Sequence, residues 1–281
     1  MASFFPTCND QKQIYVVLVI FTTFFLLLAT KQLNSEKTVS FNFPKFTQGE
    51  PTLNLQGSAK ISDSGNLVLT IPTDPKEIVG RALYTKPVPI WDSTTGNVAS
   101  FVTTFSFIFE DVESKTPADG LVFFLSPPNT KIPNNSAGGN LGVVDGLHAF
   151  NQFVGVEFDN YVNEWDPKHP HIGIDVNSLI SLKTTTWNKV SSVSSNTWVK
   201  VSIAYDSLSK TLSVVVIGEN GQITTVDQVV DLKDVLPETV SVGFSASTSK
   251  NARQIHLIHS WSFSSSLKTS NTNIINNIAS S

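Results

Sequence analysis

Glu157 and Asp159 stand two residues apart in Gly155-Val156-Glu157-Phe158-Asp159. On an extended chain this spacing turns both carboxylates to one face and Val156 and Phe158 to the other. Beyond them, Asn163, Asp166 and His171 fall in a stretch broken by Pro167 and Pro170, which predicts a loop folding an oxygen-rich arc back over that face. Carboxylates, an amide oxygen and a loop carbonyl suit calcium; carboxylates combined with one imidazole suit a first-row ion such as manganese. With no second cluster nearby, two ions would have to share ligands. An EF-hand is excluded, because that loop needs Gly at its sixth position and Glu at its twelfth, where this chain has Glu164 and Pro170. A solvated acidic loop with no ligand fits the same spacing, and the residues alone leave it open beside the metal site.

A second candidate is Pro117-Ala118-Asp119-Gly120, just ahead of the apolar run Leu121 to Leu125. There Asp119 would project from a strand end as an ionised acceptor, although an ordinary turn aspartate reads the same way. Gly138-Gly139-Asn140-Leu141-Gly142 is a loop whose bare backbone can approach a ligand closely.

The elements that must position these residues read as strands. Val39 to Phe43, Asn54 to Ile61, Asn66 to Thr70 and Gly80 to Tyr84 come first, the last leading through Pro87 and Pro89 into Ile90-Trp91. Phe101, Thr103, Phe105, Phe107 and Phe109 then alternate onto one face that belongs in a core. Leu121 to Leu125 is continuously apolar and predicts a strand covered on both sides, hence two packed sheets. Val199 to Tyr205 and Leu212 to Ile217 form a hairpin, Val240 to Ala246 and Ile255 to Phe263 close the chain, and only Asp231 to Leu236 suggests a helical turn. Many strands with short turns imply an all-β sandwich.

A chain of 281 residues with 40% hydrophobic residues can bury one large core or two small ones, and one β domain fits well. A net charge of −4 without a basic cluster gives no electrostatic footprint for nucleic acid. Ile14 to Ala29 is an apolar run behind Lys12, shorter than the roughly 20 residues of a membrane span. It reads as a secretory signal within residues 1–34, so that no membrane association is expected after cleavage. The only cysteine, Cys8, lies ahead of it, and the cleaved chain would have neither disulfide nor catalytic thiol. Asn134-Asn135-Ser136 is an acceptor signal for N-glycosylation. The secretory pathway follows, with an extracellular or vacuolar destination. Residues 268–281 form a polar tail predicted to fray.

Glu157-x-Asp159-x-Tyr161-x-Asn163-x-x-Asp166, followed by His171-Ile172-Gly173-Ile174-Asp175-Val176-Asn177-Ser178, resembles the metal-binding signature of the legume lectins. Ala118-Asp119-Gly120, the glycine loop, Gly243-Phe244-Ser245-Ala246 and His259-Ser260-Trp261-Ser262-Phe263 resemble further motifs of that family, in the family's order, within a domain spanning residues 35–267. The resemblance implies a concanavalin A-like jelly-roll sandwich that binds glycans and assembles as a homodimer or homotetramer. It implies manganese on Glu157, Asp159, Asp166 and His171, with Ser181 orienting a metal-bound water. Calcium would sit on Asp159, the Tyr161 carbonyl, Asn163 and Asp166. It further implies a cis peptide between Ala118 and Asp119, and sugar contacts from Asp119, the Gly139 backbone, Asn163 and the Tyr161 ring. The loop Ser247 to Arg253 resembles in length that of galactose-binding members, with Ser249 where those offer a hydroxyl. Lys250 would add contacts or narrow the pocket. Galactose or N-acetylgalactosamine is the expected ligand, and a mannose or glucose binder or a storage protein is the alternative.

A glycoside hydrolase of related sandwich fold is the enzymatic rival. It resembles Glu-x-Asp-x-x-Glu, whose third place is Val162 here, so the general acid is missing. His148, His169, His256 and His259 have no Ser or Cys partner at a motif spacing and read as loop or sheet residues. No catalytic residue is expected.

Overall fold

Alternating apolar side chains give this chain its strands, and a second apolar layer gives the strands their partners. The computed structural model describes residues 34–71, 77–112, 115–146, 152–187, 198–250 and 254–270. By its contacts the chain divides into Glu36–Lys268, which holds the sheets, and the two ends, Met1–Ser35 with Thr269–Ser281. Within the ends, the hydroxyls of Ser35 and Thr269 hydrogen-bond at 2.8 Å. The expected signal segment lies outside the described residues, and among those described no helix is long and apolar enough to cross a membrane.

The strands in chain order are β1 (Asn34–Phe43), β2 (Leu53–Gly57), β3 (Lys60–Ile61), β4 (Leu67–Thr70), β5 (Ile78–Tyr84), β6 (Val88–Pro89), β7 (Ser100–Asp111) and β8 (Gly120–Ser126). They continue with β9 (Val154–Asp159), β10 (His171–Val176), β11 (Lys183–Thr186), β12 (Val199–Asp206), β13 (Thr211–Ile217), β14 (Ile223–Val229), β15 (Thr239–Thr248) and β16 (Gln254–Ser270). One sheet runs β14-β13-β12-β7-β16-β4-β3 with β1 joined to β16; the other runs β11-β10-β9-β8-β15-β5-β2 with β6 joined to β15. The recorded pairings are antiparallel. The two sheets stack as a jelly-roll β-sandwich, and the expected helical turn is α1 (Leu232–Val235), N-capped by Asp231.

Between the sheets lies an aromatic core. The Phe105 ring packs at 4.9 Å on Phe244, 5.9 Å on Phe158 and 6.1 Å on Phe123. Trp261 Nε1 donates to Thr103 Oγ1 at 3.0 Å, and that hydroxyl donates to the Ser262 carbonyl at 2.7 Å, so these two polar groups within the core are paired. The face expected from β7 is inward throughout, with Phe101, Thr103, Phe105, Phe107 and Phe109 buried. Leu121 to Leu125 is buried on both sides, as its run of apolar residues required.

Several boundaries differ from the sequence reading. The expected strand from Asn54 to Ile61 is two strands in different sheets, parted at Gly57. Gly57 has φ +63°, and a methyl there would fall 2.2 Å from the Val79 carbonyl oxygen, so the chain can bend there only without a side chain. His171 does not lie on the proline-broken loop; it opens β10, pairing with Asp159, because Pro170 ends the loop just before it. β11 and β14 were not legible, since Lys-Thr-Thr-Thr and Ile-Thr-Thr-Val-Asp-Gln-Val carry little apolar alternation and are held by the neighbouring strand. The last strand runs to Ser270, past the expected start of the tail.

Phe105 touches rings from three strands of the opposite sheet. Replacing it with Ala should lower unfolding stability by about 3–5 kcal/mol. Urea denaturation checks this, with an unchanged slope expected because the exposed surface scarcely changes.

Candidate functional site

In β9, Val154, Val156 and Phe158 enter the main core, which turns Glu157 and Asp159 to the opposite face. Antiparallel register then aligns neighbours on that face. Glu157 pairs with Gly173 on β10 and Val122 on β8; Asp159 pairs with His171 and Gly120. His171, Gly173 and Asp175 therefore share the face with the two acids. Glu157, Asp159, His171 and Asp175 are all buried to within 2% exposure.

Gly173 provides room for a hydrogen-bonded cluster. A methyl there would fall 2.0 Å from Ser181 Oγ and 2.5 Å from Glu157 Oε1. Ser181 Oγ stands 2.6 Å from Glu157 Oε1 and 2.7 Å from Asp175 Oδ1. A hydroxyl has one proton, so at any moment it serves one of the two carboxylates. His171 Nε2 meets the same Glu157 Oε1 at 2.9 Å. This bond turns two of the expected ligand atoms toward each other, and among the described residues no three His, Cys, Asp or Glu side chains form a ready-made metal cage.

The loop after β9 folds over the acids as expected. Asp159 accepts from the Tyr161 amide at 2.7 Å and Asp166 from the Asn163 amide at 2.7 Å. Tyr161 is exposed, whereas Asp166 is buried and Asn163 partly so. Asn163 Oδ1 and Asp175 Oδ2 are buried without a hydrogen-bond partner. Burial, and then the charges of Glu157 and Asp166, hold the Asp159 pKa well above the usual carboxylate range. Burial and then Glu157 do the same to Asp175, and burial raises Asp166 against the Asn163 amide. Like charges with unused oxygen lone pairs are a donor set that a divalent cation fits, since it would offset the repulsion that now raises these groups.

Asp119 follows a cis peptide from Ala118 and is fully buried. Burial lifts its pKa to about 6, with the Ser249 hydrogen bond acting the other way. Ser249 Oγ lies 2.9 and 2.7 Å from its two oxygens. Gly138, in a short 3-10 turn of residues 138–140, accepts from the Ser247 hydroxyl through its carbonyl. A methyl on Gly139 would fall 2.5 Å from Asn163 Oδ1, so the glycine backbone lies directly against that amide. Asp119, Gly139, Asn163 and Ser249 thus come from four separate segments to one place. Lys250 is exposed and, among the described residues, makes no hydrogen bond into this group; the neighbouring positions 251–253 lie outside the described residues. Asn134 is exposed on a turn of the same loop.

Two contributors were not singled out from sequence. Asp175 lies four residues after His171, and strand alternation alone would have put it on the same face. Gln254, buried at the start of β16, accepts from Asn160 Nδ2 at 2.6 Å and donates through its own amide to Asp111. It ties the acidic loop to the base of the loop after β15. No sequence spacing joins residues 94 positions apart.

A sandwich that gathers a buried acid, a bare glycine loop and an amide over an acidic cluster defines a carbohydrate-binding protein of the lectin class. The family profile of the legume lectin domain matches residues 38–279. A Robinia pseudoacacia protein named as a bark agglutinin is 57% identical over 274 residues, covering 96% of this chain and 98% of its own. The galactose-binding lectin of Arachis hypogaea is 53% identical, covering 92% and 94%. A solved structure of peanut lectin with a nine-residue peptide superposes with a TM-score of 0.79 at 54% identity, covering 83% of this chain and 100% of that one. The chain belongs to the legume lectin family, whose members bind carbohydrate without converting it and generally bind metal ions.

The raised acids carry a pH signature. In chelator, folded Asp159 and Asp175 hold protons that the unfolded chain has already released, so stability is greatest on the acid side and is lost as pH rises through the folded values. Melting temperature in chelator should fall as pH rises above the usual carboxylate range, and added calcium with manganese should flatten that slope. Calorimetric scans decide it; an unchanged slope on adding the ions would show that they do not reach these carboxylates.

Proposed function

We propose that this chain is a calcium- and manganese-dependent lectin specific for galactose or N-acetylgalactosamine. The observation that carries the proposal is the convergence of Asp119, Gly139 and Asn163 beneath Ser249, whose hydroxyl lies within 2.9 Å of both Asp119 oxygens. Asp119 would accept hydrogen bonds from two sugar hydroxyls. The Gly139 N–H and the Asn163 NH₂ would donate, and the exposed Tyr161 ring would cover the apolar side of the sugar. Ser249 would add the hydroxyl that selects galactose, the ligand in the name of the Arachis hypogaea relative. Lys250 would reach a second sugar of a longer glycan.

Glu157, Asp159, Asp166 and His171 would hold manganese, and Asp159, the Tyr161 carbonyl, Asn163 and Asp166 would hold calcium, with Ser181 orienting a bound water. Bound there, the ions supply positive charge that offsets the buried acids. Asn163 then has two roles, its oxygen toward the ion and its NH₂ toward the sugar. The buried, unpaired Asn163 Oδ1 supports this division. Residues 1–34 would be the signal, residues 35–267 the binding domain and Asn134 a glycosylation site, in a protein that is extracellular or vacuolar. A homodimer or homotetramer is proposed, and exposed Val102, Val215 and Ile217 on the outer face of the first sheet offer apolar surface for it. Sedimentation tests that assembly.

Titration calorimetry with a sugar panel, with and without chelator, tests the whole reading. A monosaccharide should bind at about millimolar Kd and not at all in chelator. Binding that persisted in chelator would remove the metal part alone. If methyl mannoside displaced a glycoprotein ligand at lower concentration than methyl galactoside, the selectivity assigned to Ser249 would be wrong.

Asp119→Ala should abolish sugar binding while leaving calcium bound, because it removes charge-assisted hydrogen bonds worth about 1.5–3 kcal/mol each. Asn163→Ala should weaken both ligands. Equal sugar affinity in Asp119→Ala and the parent, measured by the same calorimetry, would place the site elsewhere.

A further inference from the structure

On β5, Ala82 and Tyr84 enter the main core, so Arg81 and Leu83 face the other way, beneath the loop that carries Gly138 and Gly139. Arg81 is only 1% exposed. Its Nη2 lies 3.3 Å from Thr130 Oγ1, while its Nε and Nη1 are buried without a hydrogen-bond partner. The Phe124 ring lies 4.6 Å from Cζ and covers one flat side of the guanidinium, which leaves the in-plane N–H groups unserved. Beside Arg81 is a cavity of about 40 Å³, lined also by Ser126, Thr130, Lys131 and Gln152. The Ser126 hydroxyl is likewise buried and unpaired. No carboxylate lines this cavity among the described residues.

We propose that the cavity is a binding site for a small inorganic monoanion of the halide class, held by the Arg81 guanidinium and the Ser126 hydroxyl. Burial lowers the Arg81 pKa to about 10, which leaves it charged at neutral pH, and no acidic neighbour among the described residues offsets that charge. A buried ion needs a counter-charge as well as hydrogen bonds. Water satisfies the second need only. The cavity exceeds what one water requires and is too small for a sugar or an organic carboxylate such as gluconate. Thr130 and Lys131 belong to the loop that leads to Gly139, and Gln56 Nε2 grips the Thr130 carbonyl at 3.0 Å, so the anion would fasten the start of that loop to β5.

Two measurements test the site, neither of which needs sugar binding. Thermal unfolding is followed at constant ionic strength while sodium gluconate is replaced by sodium bromide. The melting temperature should rise saturably, by about 5 °C at a hundredfold excess over Kd. Arg81→Met should lose the response, and Ser126→Ala, which keeps the charge, should shift it to higher bromide. Crystals of the unaltered protein soaked in bromide should give an anomalous peak beside Arg81 and Ser126. Equal stability in the two salts with no peak in the cavity would mean that it holds water only and would overturn the proposal. A bromide response retained in Arg81→Met would place the effect elsewhere and overturn it equally.

Discussion

Burial of Glu157, Asp159, Asp166 and Asp175 beside one another is the constraint on which the rest of the site depends. Sheet register and the loop after β9 bring these acids together, and among the described residues no lysine or arginine is hydrogen-bonded to them. Charges so placed must be protonated, hydrogen-bonded or matched by cations. The structure uses hydrogen bonds wherever a donor is within reach: His171 and Ser181 serve Glu157, and loop amides serve Asp159 and Asp166. What remains unserved is oxygen. That is why a lectin of this kind is well suited to divalent ions, and why the same loop can present Asn163 to a ligand.

The face of this sheet turned away from the main core has two parts of opposite character. At one end the register gathers Glu157, Asp159, His171 and Asp175. At the other, Leu83, Val122, Phe124, Leu141, Val143, Phe153 and Leu179 form a second apolar core beneath the loop before β9. That second core seats the glycine loop, so packing at one end of the face sets where Gly139 meets Asn163 at the other. Arg81 is the exception within the apolar half, a cation buried against Phe124.

Loops distant in sequence are joined by a few buried polar residues. Gln254 bridges Asn160 and Asp111, while the Asp119 amide donates to the Ser247 carbonyl at 3.1 Å and the Asp119 carbonyl accepts from the Asn160 amide at 3.2 Å. These bonds tie Asp119 to both the acidic loop and the loop after β15. A change in one loop therefore reaches the others through hydrogen bonds that cost free energy to leave unmade.

The sequence by itself determined the class of fold and where the acidic stretch of the candidate site lies. Alternation in Phe101 to Phe109, the continuous apolar run Leu121 to Leu125 and the spacing from Glu157 to Asp166 are local patterns with a period of two, and such patterns survive without knowledge of neighbours. Polar edge strands such as β11 and β14 left little pattern, because one hydrogen-bonded neighbour holds them more than their own side chains do. Only the tertiary structure decided which residues face one another. His171 opposite Asp159, Gly139 against Asn163, Ser249 over Asp119, and Gln254 between Asn160 and Asp111 all depend on strand register and loop closure across tens to more than a hundred residues. Burial likewise decided the state of Arg81 and Asp175, since an arginine or aspartate in a strand looks the same in sequence whether water or a phenyl ring lies above it.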